Sequence, residues 1–190
     1  MFKYIHIIIF LLTHDLTELK KYWEVEFIKK EFKWSRLLNK LCKSDNTYMV
    51  WYRLAYFMFR SESNKQKRVA VKINRKLNRR YSIDIPLQAE IGIGFDMWHP
   101  IGVVITEKAK IGNRLRIGSN VVIGFKNYDM DGSIKIGDDV TIGANSMIFG
   151  QNIKIGNNIT IGAMSFINKD IPDNCTVYTE KSNIIKNKAH

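Results

Sequence analysis

Few residues of the 190-residue chain can move a proton near neutral pH. There are four histidines, His6, His14, His99 and His190, and two cysteines, Cys42 and Cys175. Only His99 lies inside a repeating stretch, in FDMWHPIGVVI (95–105), with Trp98 and Pro100 on either side. A histidine suits a general base that takes a proton from a hydroxyl, and it works best when a carboxylate fixes its tautomer. Asp84, fifteen residues earlier, is one such partner, and Asp96 is the local competitor. The same residues also suit a structural reading, with His99 a satisfied ring and Asp84 the cap of a turn. The two cysteines stand far apart in no CxxC or framework spacing, which fits reduced thiols in a cytoplasmic protein rather than nucleophiles.

The elements that must hold these side chains show in the backbone pattern. Ile-Gly pairs begin at Ile91, Ile93, Ile111, Ile117, Ile123, Ile136, Ile142, Ile155 and Ile161, with recurrent six-residue steps. Six is not a helical period. It predicts a hexapeptide-repeat parallel β-helix, an all-β solenoid in which three hexads close a triangular coil of roughly 18 residues, with Ile inward and Gly at the tight corner. Coils would stack at the strand spacing of about 4.8 Å, and about five fit between Asp84 and Ile171.

Three phase breaks mark where the lattice must loop out. AEIG (89–92) and AKIG (109–112) are twenty residues apart, two more than a coil, and the excess falls on the coil with His99. The step from Ile123 to Ile136 is thirteen residues and encloses the polar FKNYDMDGS. A one-residue slip falls near Gln151 and Asn152.

Open solenoid ends need covers. Residues 1–80 form a basic helical segment, 81–171 the β-helix, and 172–190 a capping tail, with Pro172 expected to end the lattice. LTELKKYWEVEFIKKEFKWSRLLNKL reads as a helix. YMVWYRLAYFMFR reads as a second, apolar almost all round and therefore packed, ended by SESNKQK, and RVAVKINRKLNRR as a third. The initial MFKYIHIIIFLLT lacks a cleavage site and is too short to span a bilayer, so a buried helix or strand is expected, with interfacial contact the lesser alternative. The whole excess of the +12 net charge lies before Tyr81. A basic face of this kind suits phosphates, nucleic acid, an anionic leaflet or simple solvation.

DIPLQAEIGIGFDMWHPIGVVI (84–105) resembles the stretch of the serine O-acetyltransferase family that reads Asp-Ile-His-Pro-Ala-Ala-x-Ile-Gly-x-Gly and then Asp-His-Ala-Thr-Gly-Ile-Val-Ile. Asp84 and His99 match that family's dyad without a gap. The likeness runs from about Tyr48 to Lys181, and IPDNCTVYTEKSNI is similar to the closing segment of bacterial colanic-acid-type polysaccharide O-acetyltransferases. The resemblance implies a left-handed β-helix and acetyl transfer from acetyl-CoA to a hydroxyl, with His99 as base and Asp84 orienting it. It implies an oxyanion donor at the Gly124–Phe125 peptide, a CoA wall at Gly143, Ala144, Gly162 and Ala163, Lys169 or Lys181 near the nucleotide phosphates, no metal, and a homotrimer.

Two departures bear on the acceptor. The family carries Asp immediately before the catalytic His, where this chain has Trp98, and a second His that aligns with Ser133. Trp98 could pack against a sugar ring or between subunits, and Asp96, Tyr128, Asp129, Asp131 and Ser133 are the polar candidates for acceptor hydroxyls. The expectation is therefore a sugar O-acetyltransferase of bacterial surface polysaccharide, peripheral to the inner membrane face, with serine acetyl transfer as the alternative. A non-enzymatic scaffold is a weaker third reading, because no nucleic-acid-binding motif accompanies the basic segment. A γ-type carbonic anhydrase would need three zinc-binding histidines where the repeat supplies one.

Overall fold

The computed structural model describes residues 2–125 and 131–180. From Asp84 onward the chain winds a left-handed parallel β-helix of three faces. The first face stacks β1 (Glu90–Ile91), β4 (Ala109–Ile111), β7 (Ile134–Ile136) and β10 (Lys154–Ile155). The second stacks β2 (Asp96–Met97), β5 (Arg116–Ile117), β8 (Thr141–Ile142), β11 (Thr160–Ile161) and β13 (Thr176–Val177). The third stacks β3 (Val104–Ile105), β6 (Val122–Gly124), β9 (Met147–Phe149) and β12 (Phe166–Ile167). In-register pairs such as Ile91 with Ile111 and Ile117 with Ile142 put the repeat isoleucines in buried inward columns. The lattice does not stop at Pro172: Ile171 bridges to Ile155, and β13 pairs with β11 beyond it.

Gly94 (φ 86°) takes the left-handed corner expected of a repeat glycine, but most of the repeat glycines do a different task. The left-handed positions of the later coils belong to Arg114, Asn120, Asp139, Asn145, Asn152, Asn158, Met164 and Asn174, most of them two residues after a glycine. The glycines are required because the neighbouring coil comes too close: a Cβ on Gly143 would lie 2.4 Å from the Ala163 amide nitrogen, and one on Gly118 2.7 Å from that of Ala144. Asn and Asp tolerate the left-handed conformation because their short side chains bond locally. Here they also tie coils together, Asn120 Nδ2 donating to Asn145 Oδ1 at 3.1 Å and Asn158 Nδ2 to Asn174 Oδ1 at 2.9 Å.

Among the described residues five α-helices precede the solenoid: α1 (Phe2–Thr13), α2 (Thr17–Trp23), α3 (Trp34–Lys43), α4 (Tyr48–Phe59) and α5 (Asn64–Tyr81). The single helix expected from Leu16 onward is divided. A π-helical turn, Glu24–Ile28, follows α2 and ends at Lys29 in the left-handed conformation, after which KEFK carries no helix. NKQK opens α5 rather than closing α4, because Ser63 accepts the Gln66 amide as an N-cap. The initial apolar stretch is helical but only half buried, with Ile7 and Phe10 inward.

The first coil has no preceding strand to pair with, and the helices supply the missing partners as side chains. Arg53, fully buried, donates to the carbonyls of Ile91 at 2.8 Å and Gly92 at 2.7 Å and forms a two-pronged pair with Glu26 at 2.7 and 2.8 Å. Glu26 in turn accepts the amides of Gly94 and Phe95. Burial is the largest single influence on the Arg53 guanidinium and pulls it down, but the Glu26 charge, its hydrogen bonds and the neighbouring Tyr52 and Tyr22 together hold the group above its ordinary range. Arg60 donates to Leu87 and Asn74 to Ile85. The solenoid edge is thus closed by polar groups, as an unpaired edge requires.

Candidate active site

The corner between the second and third faces carries His99. In successive coils the amides of Trp98, Gly118, Gly143 and Gly162 donate to Ile117, Ile142, Ile161 and Val177 at 2.8–2.9 Å, so these four residues are equivalent. Past the corner, Asn120 donates to Ile101 and Asn145 to Ser119, making Ile101 the equivalent of Ser119. Gly118 and Ser119 are adjacent, whereas Trp98 and Ile101 are separated by His99 and Pro100. These are the two residues by which the coil exceeds its period, and they bulge outward. The bulge is closed by Ile101 donating to the His99 carbonyl at 2.7 Å, with His99 in the left-handed conformation (φ 52°) and exposed. Its imidazole makes no hydrogen bond or ion pair among the described residues.

Asp84 lies on the third face as an extra rung beside Val104, its amide donating to Val103 at 2.7 Å and its carbonyl accepting from Ile105 at 2.9 Å. Ser82 O accepts from Gly102, just past the bulge, so the segment carrying Asp84 runs alongside the end of the His99 corner. The carboxylate is exposed and held by Asn78 Nδ2 at 3.2 Å, not by His99. The two expected partners therefore share one edge of the first coil without a bond between them.

Gly143, Ala144, Gly162 and Ala163 form a column on the same corner as His99, in later coils. Gly124, Asp131, Ser133 and Lys169 do not: they lie at the other end of the third face, where the chain turns to the first. There Gln151 Nε2 donates to the Asp131 carbonyl at 3.0 Å and Ser133 N–H to Asn152 at 3.1 Å. Within one chain, a full side of the triangle separates them from His99. Asp96 is on the second face, in register with Arg116, and lines a cleft with Lys29 and Glu26. Trp98 is exposed beside His99. Tyr128, Asp129 and Lys181 lie outside the described residues.

Asn78 is absent from the residues singled out in the sequence, although a signal was there. Asn74 and Asn78, one turn apart in an otherwise basic helix, both reach the solenoid, Asn74 to Ile85 O and Asn78 to Asp84. Arg53 and Glu26 carried no comparable signal, being ordinary charges 27 residues apart.

No family profile and no curated protein matches the chain. Among solved structures it is similar to serine acetyltransferase isoform 3 of Entamoeba histolytica in complex with cysteine (29% identity, TM-score 0.65, 75% of this chain and 50% of that one). It is also similar to the Neisseria gonorrhoeae serine acetyltransferase in complex with serine (31%, 0.62, 72% and 55%) and to the soybean apoenzyme (31%, 0.63, 73% and 56%). The chain spans about half the length of these structures. Over some three quarters of its own residues, it carries the fold of serine acetyltransferases.

Proposed function

We propose that the chain is an O-acetyltransferase moving an acetyl group from acetyl-CoA to an alcohol. The observation that carries this reading is the two-residue bulge that lifts His99 out of the lattice, on a fold shared with serine acetyltransferases. The acceptor oxygen attacks the thioester carbonyl while the His99 imidazole takes its proton. The tetrahedral intermediate then expels the CoA thiolate, which receives that proton, leaving an acetyl ester and CoA-SH. Asp84 steadies the imidazolium once the bound acceptor draws its carboxylate from Asn78. The column at Gly143, Ala144, Gly162 and Ala163 offers backbone and small side chains for CoA, with Lys181, or Lys169 of a neighbouring copy, toward its phosphates.

The oxyanion donor at Gly124 and the polar groups Asp131 and Ser133 would come from a neighbouring copy. The outward line of the third face supports this: Val104, Val122, Met147 and Phe166 are apolar, where the first face presents Glu90, Lys110, Lys135 and Lys154. Phe166 is 52% exposed and Ile101, at the rim, 63%. An apolar patch of this kind marks an association surface. A three-fold ring closed through it would set one chain's His99 corner against the next chain's Gly124.

The structural neighbours favour serine as the acceptor, since the solved relatives are serine acetyltransferases and one of them is a complex with serine. A glycan hydroxyl at a membrane face is the second reading, carried by Trp98 and Ser133, which replace two polar groups of the serine family with an aromatic platform and a hydroxyl. The test is CoA release from acetyl-CoA with L-serine and, separately, with nucleotide sugars and oligosaccharides. Serine-dependent release selects the first acceptor and sugar-dependent release the second. Release with neither, by folded protein, would overturn the activity.

A further inference from the structure

We propose that α1 and the adjoining side of α5 form a docking surface for an anionic lipid bilayer. Helix α1 buries Ile7 and Phe10 and turns the other side outward, with Tyr4, Ile5, Ile8, Ile9 and Leu12 at 64, 46, 54, 41 and 79% exposure. At 100° per residue these five lie within one stripe and include no charge. At twelve residues the helix is about 18 Å long, and no helix among the described residues is long and apolar enough to cross a membrane. Such a stripe lies in the interface plane rather than through it.

The charge beside the stripe says what it faces. Helix α5 carries eight Lys or Arg in 18 residues and no acid, and none of the eight has an ion-pair partner among the described residues. Lys76 and Arg80 line the same cleft of about 230 Å³ as Tyr4 and Ile7, so unneutralised cations adjoin the apolar stripe. A protein partner would need both an apolar groove and acidic groups in this layout, whereas an anionic leaflet presents the two together, acyl chains beneath phosphates. The surface belongs to the helical segment, on the same helix whose Asn78 holds Asp84.

The test is co-sedimentation of the full chain with phosphatidylcholine vesicles, with and without about 30 mol % phosphatidylglycerol, in the absence of acetyl-CoA. The expected result is binding to the anionic vesicles that weakens with salt. It should fall about tenfold or more in Ile8→Glu/Leu12→Glu and also weaken in Lys76→Glu/Arg80→Glu, with helical circular dichroism unchanged. No binding by the folded protein, or equal binding by both variants, overturns the proposal. So does a fall in assembled mass of Ile8→Glu/Leu12→Glu without loss of vesicle binding, which would assign the stripe to a second copy. Because no substrate is present, failure here and failure of the acetyltransferase reading are separate results.

Discussion

Trp98 occupies the coil position that Gly118 occupies one coil later, each donating its amide to the isoleucine carbonyl of the following coil. A side chain at Gly118 would strike Ala144, with a Cβ 2.7 Å from its amide nitrogen. At Trp98 the chain leaves the lattice into the His99–Pro100 bulge, so the exposed aromatic ring and the base sit side by side at one distortion.

Replacing His99 by Ala should lower acetyl transfer about 10²- to 10⁴-fold, the range of a lost general base. Its thermal midpoint should be unchanged, because the ring is exposed and bonded to nothing described. Asp84→Asn should cost less, since an amide can still orient the ring. CoA release and a melting curve on the same preparations check both. Loss of activity together with folding would instead make His99 structural.

The Glu26–Arg53 pair is buried on both sides. Removing one partner leaves an unpaired charge in the interior, so Glu26→Leu should destabilise by about 3–5 kcal/mol, roughly 6–20 °C in melting temperature for a chain of this size. The loss should appear in a urea titration, and in lowered activity through the neighbouring coil.

Gly143→Ala tests close approach against backbone freedom. Gly143 is not in the left-handed region, so a helix-or-strand propensity argument predicts little change. The predicted contact with Ala163 implies overpacking of about 1–3 kcal/mol. Gly102, at φ 70° and facing Asn120, should tolerate Ala no better.

The guanidinium of Arg114, bonded to Asp139 through two nitrogens, holds that carboxyl below its ordinary range. A folded-state pKa lowered in this way contributes stability above the unfolded value of about 4, and the contribution is lost as pH falls through the folded pKa. Wild type and Asp139→Asn should therefore differ slightly in denaturation midpoint at pH 7 and converge once the pH has fallen through the lowered folded-state pKa of Asp139. The pair is solvent-exposed, so the gap should also shrink in high salt.

The solenoid was legible because its period is short and strictly chemical: Ile in, Gly where coils touch. The extra length before Ala109 located the bulge at His99 without any side-chain geometry. The role of most repeat glycines was misread, since spacing alone does not distinguish a left-handed corner from a close approach: Gly94 takes the corner itself, but elsewhere the left-handed residue stands two places later, mostly Asn or Asp, with Arg114 and Met164 the exceptions. The grouping of Gly124, Asp131 and Ser133 with His99 followed from linear order and resemblance, whereas the triangular cross-section sets them a side apart in one chain. The break in the helix after Ile28 was hidden because KKEFKW keeps an acceptable helical composition. As for the acceptor, the solved neighbours speak for serine, while Trp98 and Ser133 remain the sequence's argument for sugar.

The polar clamp on the first coil also sets an order of assembly. Later coils make contacts only some 20 residues apart and can zip onto one another cheaply, one neighbour at a time. The first coil pairs with the second in the same way, but part of its outer edge is satisfied only by Glu26 reaching Gly94 and Phe95 across 68 and 69 residues. Long loop closures slow a chain. The Gly94 and Phe95 amides should therefore acquire native protection in pulsed hydrogen exchange later than the strand amides of the coils behind them, so that the open end of the solenoid is sealed only after its lattice exists.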